Sequence, residues 1–143
     1  VTHINVYSRG RTKLGRDLSN FAAIGIVHPE YGKFASIEGF WYWLSTGLMH
    51  DELRYLAGHK AKQVGKKLAK THIPNFKELI KQGLKLKLEQ NPSLYKALKE
   101  SNLSLVHYYC YGSEDNPKII HPADSQWMLD YFTELRGNNA IAS

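Results

Sequence analysis

The segment at residues 36–44 constrains the fold most, because it joins a helix start to aromatic and aliphatic residues at almost every position. Ser36 suits a helix N-cap, and Glu38 places a carboxylate in the first turn of the helix. Consecutive helical residues point about 100° apart, so the four large side chains after Phe40 face different directions. We therefore predict a helix over residues 36–48 that is covered by protein on all sides.

Glu38 has two interpretations at the start of this helix. Its carboxylate can simply complement the helix dipole, an interaction worth a few tenths to about 1 kcal/mol. It can instead be an active-site carboxylate held by aromatic walls, since burial shifts the protonation of catalytic acids. The spacing of residues leaves both interpretations open.

The chain has 143 residues, a length that fits one domain with a substantial core. Its content of 43% hydrophobic and 22% charged residues is ordinary for a soluble globular protein. The single cysteine, Cys110, cannot form an internal disulfide, and no signal peptide or membrane-spanning run is found, so we expect a cytoplasmic protein with no membrane partner. Basic residues exceed acids by 19 to 13, and this surplus favours an anionic partner such as nucleic acid or a phosphorylated ligand.

Periodicity predicts many helices and few strands. The predicted strands lie at residues 4–8, 21–27 and 103–111. The predicted helices lie at residues 36–48, 51–57, 59–72, 76–88, 93–100 and 124–136. Residues 9–16 carry four cations and no acid and are predicted to form a basic loop, and residues 137–143 are predicted to form a loose tail. The fold class we predict is α+β, a single compact helix-rich domain with a small β-sheet over residues 1–143.

Two groups of lysines stand out in this pattern. Residues 59–72 contain five lysines and no carboxylate, which is typical of a solvated helix face and also suits phosphate binding. Lys87 lies in the middle of the apolar arc of the predicted helix at residues 76–88. A lysine there either extends along the surface to water or works in a pocket, where desolvation would tune the ammonium for chemistry. The second interpretation makes Lys87 the strongest candidate for a functional cation.

Common catalytic and cofactor motifs are missing from the sequence. It has no glycine-rich phosphate loop, no dinucleotide-binding glycine fingerprint and no nucleophile elbow. It has no cysteine pair for zinc, and its seven histidines do not follow the spacing of a zinc-binding helix. We therefore expect no metal and no cofactor. The remaining candidates for chemistry are a carboxylate, a half-buried lysine and aromatic walls.

Several short segments occur in an order that is shared with a known family. They are the segments at residues 4–8, 18–23, 36–38, 61–66, 84–92, 105–106 and 134–136. In this order they resemble the NADAR (YbiA-like) family of N-glycosidases, and the resemblance spans nearly the whole chain. The sequence departs from the family pattern at Gly39, at Ser45 in place of a lysine, and at His107, where the family strand ends in a glutamate.

The resemblance implies a single helix-rich α+β domain that hydrolyses the N-glycosidic bond of a ribosylated compound. The implied substrates are ADP-ribosylated guanine in nucleic acid or in a nucleotide, and phosphorylated ribosyl-amines of the riboflavin pathway. The resemblance gives Glu38 the position of the family's catalytic glutamate and Lys87 that of an active-site lysine. It places Asn20 and Phe21 in the loop that lines the substrate.

The other candidate substrate-binding residues are Arg9, Lys62, Lys66, Trp41, Tyr42 and His107. The cations among them would grip a pyrophosphate or a nucleic-acid backbone. The tryptophan and the tyrosine either stack on the base or pack in the core. Lys87 has three open roles, namely holding phosphate, protonating the departing base, or attacking the opened sugar as an amine. The alternative function is a non-catalytic basic module that binds nucleic acid or an ADP-ribose-like ligand.

Overall fold

The computed structural model of the protein describes residues 2–113, 115–122 and 125–142. The elements in chain order are β1 (His3–Asn5), α1 (Lys13–Leu18), β2 (Ile26–His28), β3 (Gly32–Phe34), α2 (Ile37–Ser45), a 3-10 helix (Asp51–Tyr55), α3 (Gly58–Lys66), α4 (Phe76–Glu89), α5 (Pro92–Glu100), β4 (Ser104–Val106), β5 (Tyr109–Ser113), β6 (Asn116–Ile120) and α6 (Gln126–Ala142). This content confirms the predicted α+β class. Within the described residues, no helix has both the length and the apolar character that crossing a membrane requires.

The chain divides into two compact units, one formed by Asn20–Tyr95 and the other by Val1–Ser19 together with Lys96–Ser143. One domain with two lobes and two separate domains would both give this division. The prediction of a single domain over residues 1–143 therefore stays a prediction.

The unit Asn20–Tyr95 is built around α2, which packs against α3, α4 and the 3-10 helix. Strands β2 and β3 form an antiparallel hairpin in which Ile26 pairs with Phe34 and His28 with Gly32. The core of this unit consists of apolar side chains from every helix around α2 and from the hairpin. They include Ile26, Phe34, Ile37, Phe40, Trp43, Leu44, Leu53, Ala61, Ile80, Leu84 and Leu88.

The unit formed by the two chain ends contains two small sheets. Strands β1 and β4 are parallel, with Ile4 opposite Leu105, and strands β5 and β6 are antiparallel, with Tyr111 opposite Lys118. The buried apolar residues of this unit are Ile4, Val6, Tyr7, Leu18, Leu98, Leu105, Leu129, Phe132 and Leu135. The sequence predicted one small sheet. The described residues instead form three separate two-stranded sheets, β1–β4, β2–β3 and β5–β6.

The prediction of one continuous strand over residues 103–111 is wrong, because the strand is interrupted in its middle. Strand β4 ends at Val106 and β5 begins only at Tyr109. The backbone of Tyr108 donates to the Asn5 side-chain oxygen at 3.0 Å, and its carbonyl accepts from the Asn5 amide nitrogen, also at 3.0 Å. A side chain therefore takes the hydrogen bonds that a continuous strand would give to its neighbour.

Several other boundaries differ from the prediction, among them that of the strand predicted at residues 4–8, since β1 covers only His3–Asn5. The predicted basic loop at residues 9–16 contains the start of α1, because the Thr12 side chain caps the helix by accepting from the Gly15 backbone nitrogen at 3.0 Å. The predicted strand at residues 21–27 shrinks to β2. Helix α2 ends at Ser45 rather than at residue 48, since residues 47 and 48 adopt left-handed φ angles of 105° and 59°. Helix α3 ends at Lys66 rather than at residue 72.

The predicted loose tail at residues 137–143 is helical as far as the structure describes it. Helix α6 continues through this segment to Ala142. Ser143 lies outside the described residues.

Candidate active site

Glu38 is held at a helix start that several hydrogen bonds fix in place. The Ser36 hydroxyl accepts from the Gly39 backbone nitrogen at 3.0 Å and donates to the Leu56 carbonyl at 2.8 Å, so the predicted N-cap is confirmed. The Glu38 backbone nitrogen donates to the Asn20 carbonyl at 3.0 Å. These bonds attach the loop at Asn20 directly to the first turn of α2.

The surroundings of Glu38 keep its carboxyl group partly protonated near neutral pH. The side chain is half-buried, and burial raises the pKa of Glu38 from 4.5 to about 7. The positive charge of Lys62 acts in the opposite direction and lowers this pKa. A carboxyl group with a pKa near the working pH can both give and accept a proton.

Lys62 and Phe21 meet at the first turns of α3. The Lys62 ammonium lies 6.0 Å from the centre of the Phe21 ring, and the His59 ring lies against the same phenyl ring, edge to face, at 5.1 Å. A methyl group built on Gly58 would stand 3.6 Å from the Phe21 carbonyl oxygen, so this loop runs close to the start of α3. The structure therefore brings together four of the predicted site residues, Asn20, Phe21, Glu38 and Lys62.

One side of α2 stays partly open to solvent. Glu38, Trp41, Tyr42 and Ser45 share this side, because they are three or four residues apart, and all four are half-buried. The prediction that the helix is covered on all sides is therefore wrong. The other five residues of α2 are buried.

Trp41 and Tyr42 have packing contacts on this side of the helix. The Trp41 ring meets Phe76 edge to face at a centroid distance of 4.8 Å. Tyr42 lies directly on Gly65 of α3, where an added Cβ would stand only 2.2 Å from the Tyr42 Cγ. Core packing is thus shown for both rings. Stacking on a substrate base stays a prediction that their partial exposure permits.

Lys87 is buried, with 0% of its surface exposed, so its side chain does not extend along the surface to water. It lies one turn after Gly83, whose added Cβ would stand 2.9 Å from the Phe40 ring, so this side of α4 faces α2. A ligand can reach the Lys87 ammonium only after the side chains around it move. Its place beside Glu38 and its role in a reaction stay predictions.

The other predicted cations and His107 lie elsewhere. Lys66 is exposed, one turn after Lys62 on α3. Arg9 is exposed in a turn of the unit that contains the chain ends, and His107 belongs to that unit too. The His107 Nδ1 donates to the Val6 carbonyl at 2.6 Å; burial lowers the pKa of His107, and this hydrogen bond acts against the shift. The participation of Arg9 and His107 in the site stays a prediction.

Gly39 has a structural reason to differ from the family pattern. A Cβ at this position would stand 2.5 Å from the Leu53 carbonyl oxygen and 3.0 Å from that of Leu56. Only glycine leaves room for the 3-10 helix to lie this close to α2. Glycine at residue 39 therefore allows close packing of α2 against residues 53–56.

His59 is a candidate that the sequence reasoning missed. It is exposed and contacts Phe21, and it lies three residues before Lys62 on the same side of α3. The spacing of His59 and Lys62 was visible in the sequence, but nothing there showed that this side of the helix meets Phe21. No group of three or more metal-binding side chains occurs in the described ranges.

Comparison with known proteins defines the fold. No protein-family model and no curated protein matches the sequence. The structure is similar to the NMR structure of the E. coli protein YbiA, with a TM-score of 0.70 and 22% sequence identity. The similarity covers 99% of this chain and 86% of that chain. The protein therefore has a YbiA-like α+β fold.

Proposed function

We propose that the protein is an N-glycosidase that hydrolyses the bond between a ribosyl group and a nitrogen base. The observation that carries this proposal is the Glu38 carboxyl group, whose pKa is raised to about 7 beside Lys62 at the partly open side of α2. The YbiA-like fold and the resemblance to the NADAR family support it. The substrate class is an ADP-ribosylated base, such as ADP-ribosyl-guanine, or a related phosphorylated ribosyl-amine.

The reaction breaks the bond from the sugar C1′ to the base nitrogen and adds water to C1′. Positive charge develops on the sugar ring as this bond breaks, so an ionised carboxylate nearby stabilises the transition state. The same carboxylate can accept a proton from the attacking water, and the departing base nitrogen takes up a proton. Glu38 suits this work because both of its protonation states are populated near neutral pH.

The proposed substrate contacts are those that the sequence and the resemblance to the family indicate. Asn20 and Phe21 line the site beside Glu38, and Trp41 and Tyr42 on the open side of α2 would face the base. The phosphates would meet the cations Lys62 and Lys66, and the contacts from Arg9 and His107, which belong to the other unit, stay predictions from the sequence. Lys87 would hold phosphate, protonate the base or attack the opened sugar, and each role requires an opening of the protein around its buried ammonium.

Replacing Glu38 by glutamine tests the proposal. Glu38→Gln should cut the release of ADP-ribose from ADP-ribosylated guanine DNA by at least about a hundredfold, the usual scale for a catalytic acid or base. The matched control is Glu78→Gln, which removes an exposed first-turn acid from α4. Wild-type turnover in folded Glu38→Gln would reduce Glu38 to a partner of the helix dipole.

The second candidate function is a non-catalytic module that binds an ADP-ribose-like ligand or nucleic acid. It is favoured by the basic character of residues 53–77, which contain no acid, and by five exposed lysines in this segment. The two functions differ in one measurement. If the wild type binds ADP-ribosylated DNA but releases no ADP-ribose, and Glu38→Gln binds it equally well, the protein is a binding module.

A further inference from the structure

The start of α3 carries two basic side chains against one aromatic ring. The His59 ring contacts Phe21 edge to face at 5.1 Å, and the Lys62 ammonium lies 6.0 Å from the centre of the same ring. His59 is exposed, and Lys62 is half-buried while Lys60, Lys66 and Lys67 of this segment are exposed. These two donors are therefore held at a fixed place beside the loop that leads to Glu38.

The positive charge of Lys62 is only partly compensated. No salt bridge to Lys62 and no carboxylate between residues 53 and 77 occurs in the described part of the chain. Glu38 is the acid that interacts with Lys62, and its pKa of about 7 means that near neutral pH only part of the Glu38 population is negative. The cluster thus offers positive charge and hydrogen-bond donors to a ligand anion.

We propose that His59 and Lys62, held against Phe21, form an anion subsite that takes a phosphate group of the substrate. The inference rests on the proposed function, because the subsite lies next to the carboxyl group that would act on the ribosyl bond. It assigns His59 as a specificity residue. It also selects phosphorylated ribosyl compounds over the unphosphorylated nucleosides, since an unphosphorylated ligand leaves both donors without an anion.

Three single variants separate anion binding from packing and from general charge. Lys62→Ala removes the ammonium. His59→Phe keeps an aromatic edge against Phe21 and removes the ring nitrogens. Lys60→Ala removes an exposed cation of the same helix that lies one residue after His59 and two before Lys62 and so points away from both.

The experiment measures binding of ADP-ribose and of adenosine by calorimetry to the wild type and to each variant, with the melting temperature as a check of folding. A hydrogen bond to a charged group is worth about 1.5–3 kcal/mol, so Lys62→Ala should weaken ADP-ribose binding by about 10-fold or more. His59→Phe should weaken it by roughly 3- to 10-fold, somewhat less than a full charged contact. Lys60→Ala should stay within about twofold of wild type, as expected for an exposed charge, and adenosine binding should be unchanged in all three.

Several results would overturn the subsite. One is wild-type affinity for ADP-ribose in folded Lys62→Ala and His59→Phe. Another is a loss of ADP-ribose affinity in Lys60→Ala as large as in these two variants, or a loss of adenosine affinity as large as that of ADP-ribose affinity. The last is a wild type that does not bind ADP-ribose. The proposed reaction is judged separately from these. If the wild type binds ADP-ribose through this subsite but cleaves no ribosyl bond, the glycosidase proposal is refuted and the subsite stands. If the wild type cleaves the bond but Lys62→Ala and His59→Phe bind ADP-ribose as well as the wild type does, the subsite is refuted and the glycosidase proposal stands.

Discussion

Helices α3 and α4 both pack against α2 and both are rich in lysine, but they place this residue in different surroundings. Helix α3 keeps its lysines at or near the surface, with Lys62 half-buried beside Phe21 and Glu38. Helix α4 keeps Lys77 and Lys85 exposed but encloses Lys87 completely. The same side chain is therefore available to a ligand on one helix and sealed from solvent on the other.

The two helices approach α2 in the same way, through a glycine. An added Cβ would stand 2.2 Å from Tyr42 at Gly65 of α3 and 2.9 Å from Phe40 at Gly83 of α4. The contact at Gly65 lies on the partly open side of α2, since Tyr42 is half-buried, whereas Phe40 is fully buried. Lys62 and Lys87 therefore differ in exposure because α3 and α4 cover different sides of α2. Close approach of two helices through a glycine does not by itself bury a lysine.

The largest expected effect comes from removing the buried charge on α4. Lys87→Met should abolish turnover, because the proposed reaction uses this ammonium, and the melting temperature should fall. Lys87 is buried and has an interaction partner, and removing one member of a buried polar contact costs about 1–3 kcal/mol or more because the other member is left unsatisfied. Activity assays and thermal unfolding of the same preparation check both parts.

Lys85→Met is the control for this prediction, since Lys85 is exposed two residues earlier on the same helix. It should leave both turnover and melting temperature close to wild type. A folded Lys87→Met protein with full activity would show that the buried lysine has only a structural role.

The next effect is a dependence of the free energy of unfolding on pH. A variant of Lys62 on α3 should alter this dependence, and a variant of Lys85 on α4 should leave it unchanged. The folded pKa of Glu38 lies above its ordinary value, so between about pH 4.5 and 7 the folded protein holds a proton that the unfolded chain releases. The free energy of unfolding should therefore fall as the pH rises through this range and level off above it. At about 1.4 kcal/mol per pH unit, the loss is about 3 kcal/mol at most.

Urea unfolding across this pH range tests the effect, and Glu38→Gln should remove it. Because Lys62 lowers the pKa of Glu38, Lys62→Ala should extend the fall to higher pH. Lys85→Ala on α4 should leave the curve unchanged. The explanation fails if wild type and Glu38→Gln show the same dependence on pH.

The last effect concerns the stability contributed by the two glycine contacts, and for Gly83 it is the smallest expected here. Gly65→Ala should destabilise the protein by about 3 kcal/mol and Gly83→Ala by about 1 kcal/mol, within the usual range for overpacking a core. The difference arises because the added methyl group at Gly65 meets the Tyr42 ring at a much shorter distance, while the better helix propensity of alanine offsets part of either cost. Chemical unfolding of both variants measures this, and an equal loss would contradict the ranking.

Much of unit Asn20–Tyr95 could be predicted from local patterns. The N-cap at Ser36 and the extent of α4 were confirmed, because each depends on residues within one helix. The end of α2 was missed because the left-handed residues after Ser45 leave no mark in the hydrophobic pattern. The break between β4 and β5 was missed because Asn5, far away in the sequence, takes the hydrogen bonds of Tyr108.

The sequence by itself determined which side of each helix is apolar, and from that it identified Glu38 at a helix start and Lys87 in an apolar arc. Only the tertiary structure decided that His59 and Lys62 meet Phe21, that the side of α2 bearing Glu38 stays partly open, and that Gly39 makes room for a carbonyl oxygen. The physical reason is that periodicity is a property of one element. Access to a site depends on which elements pack together, and that is settled by contacts between residues distant in the chain.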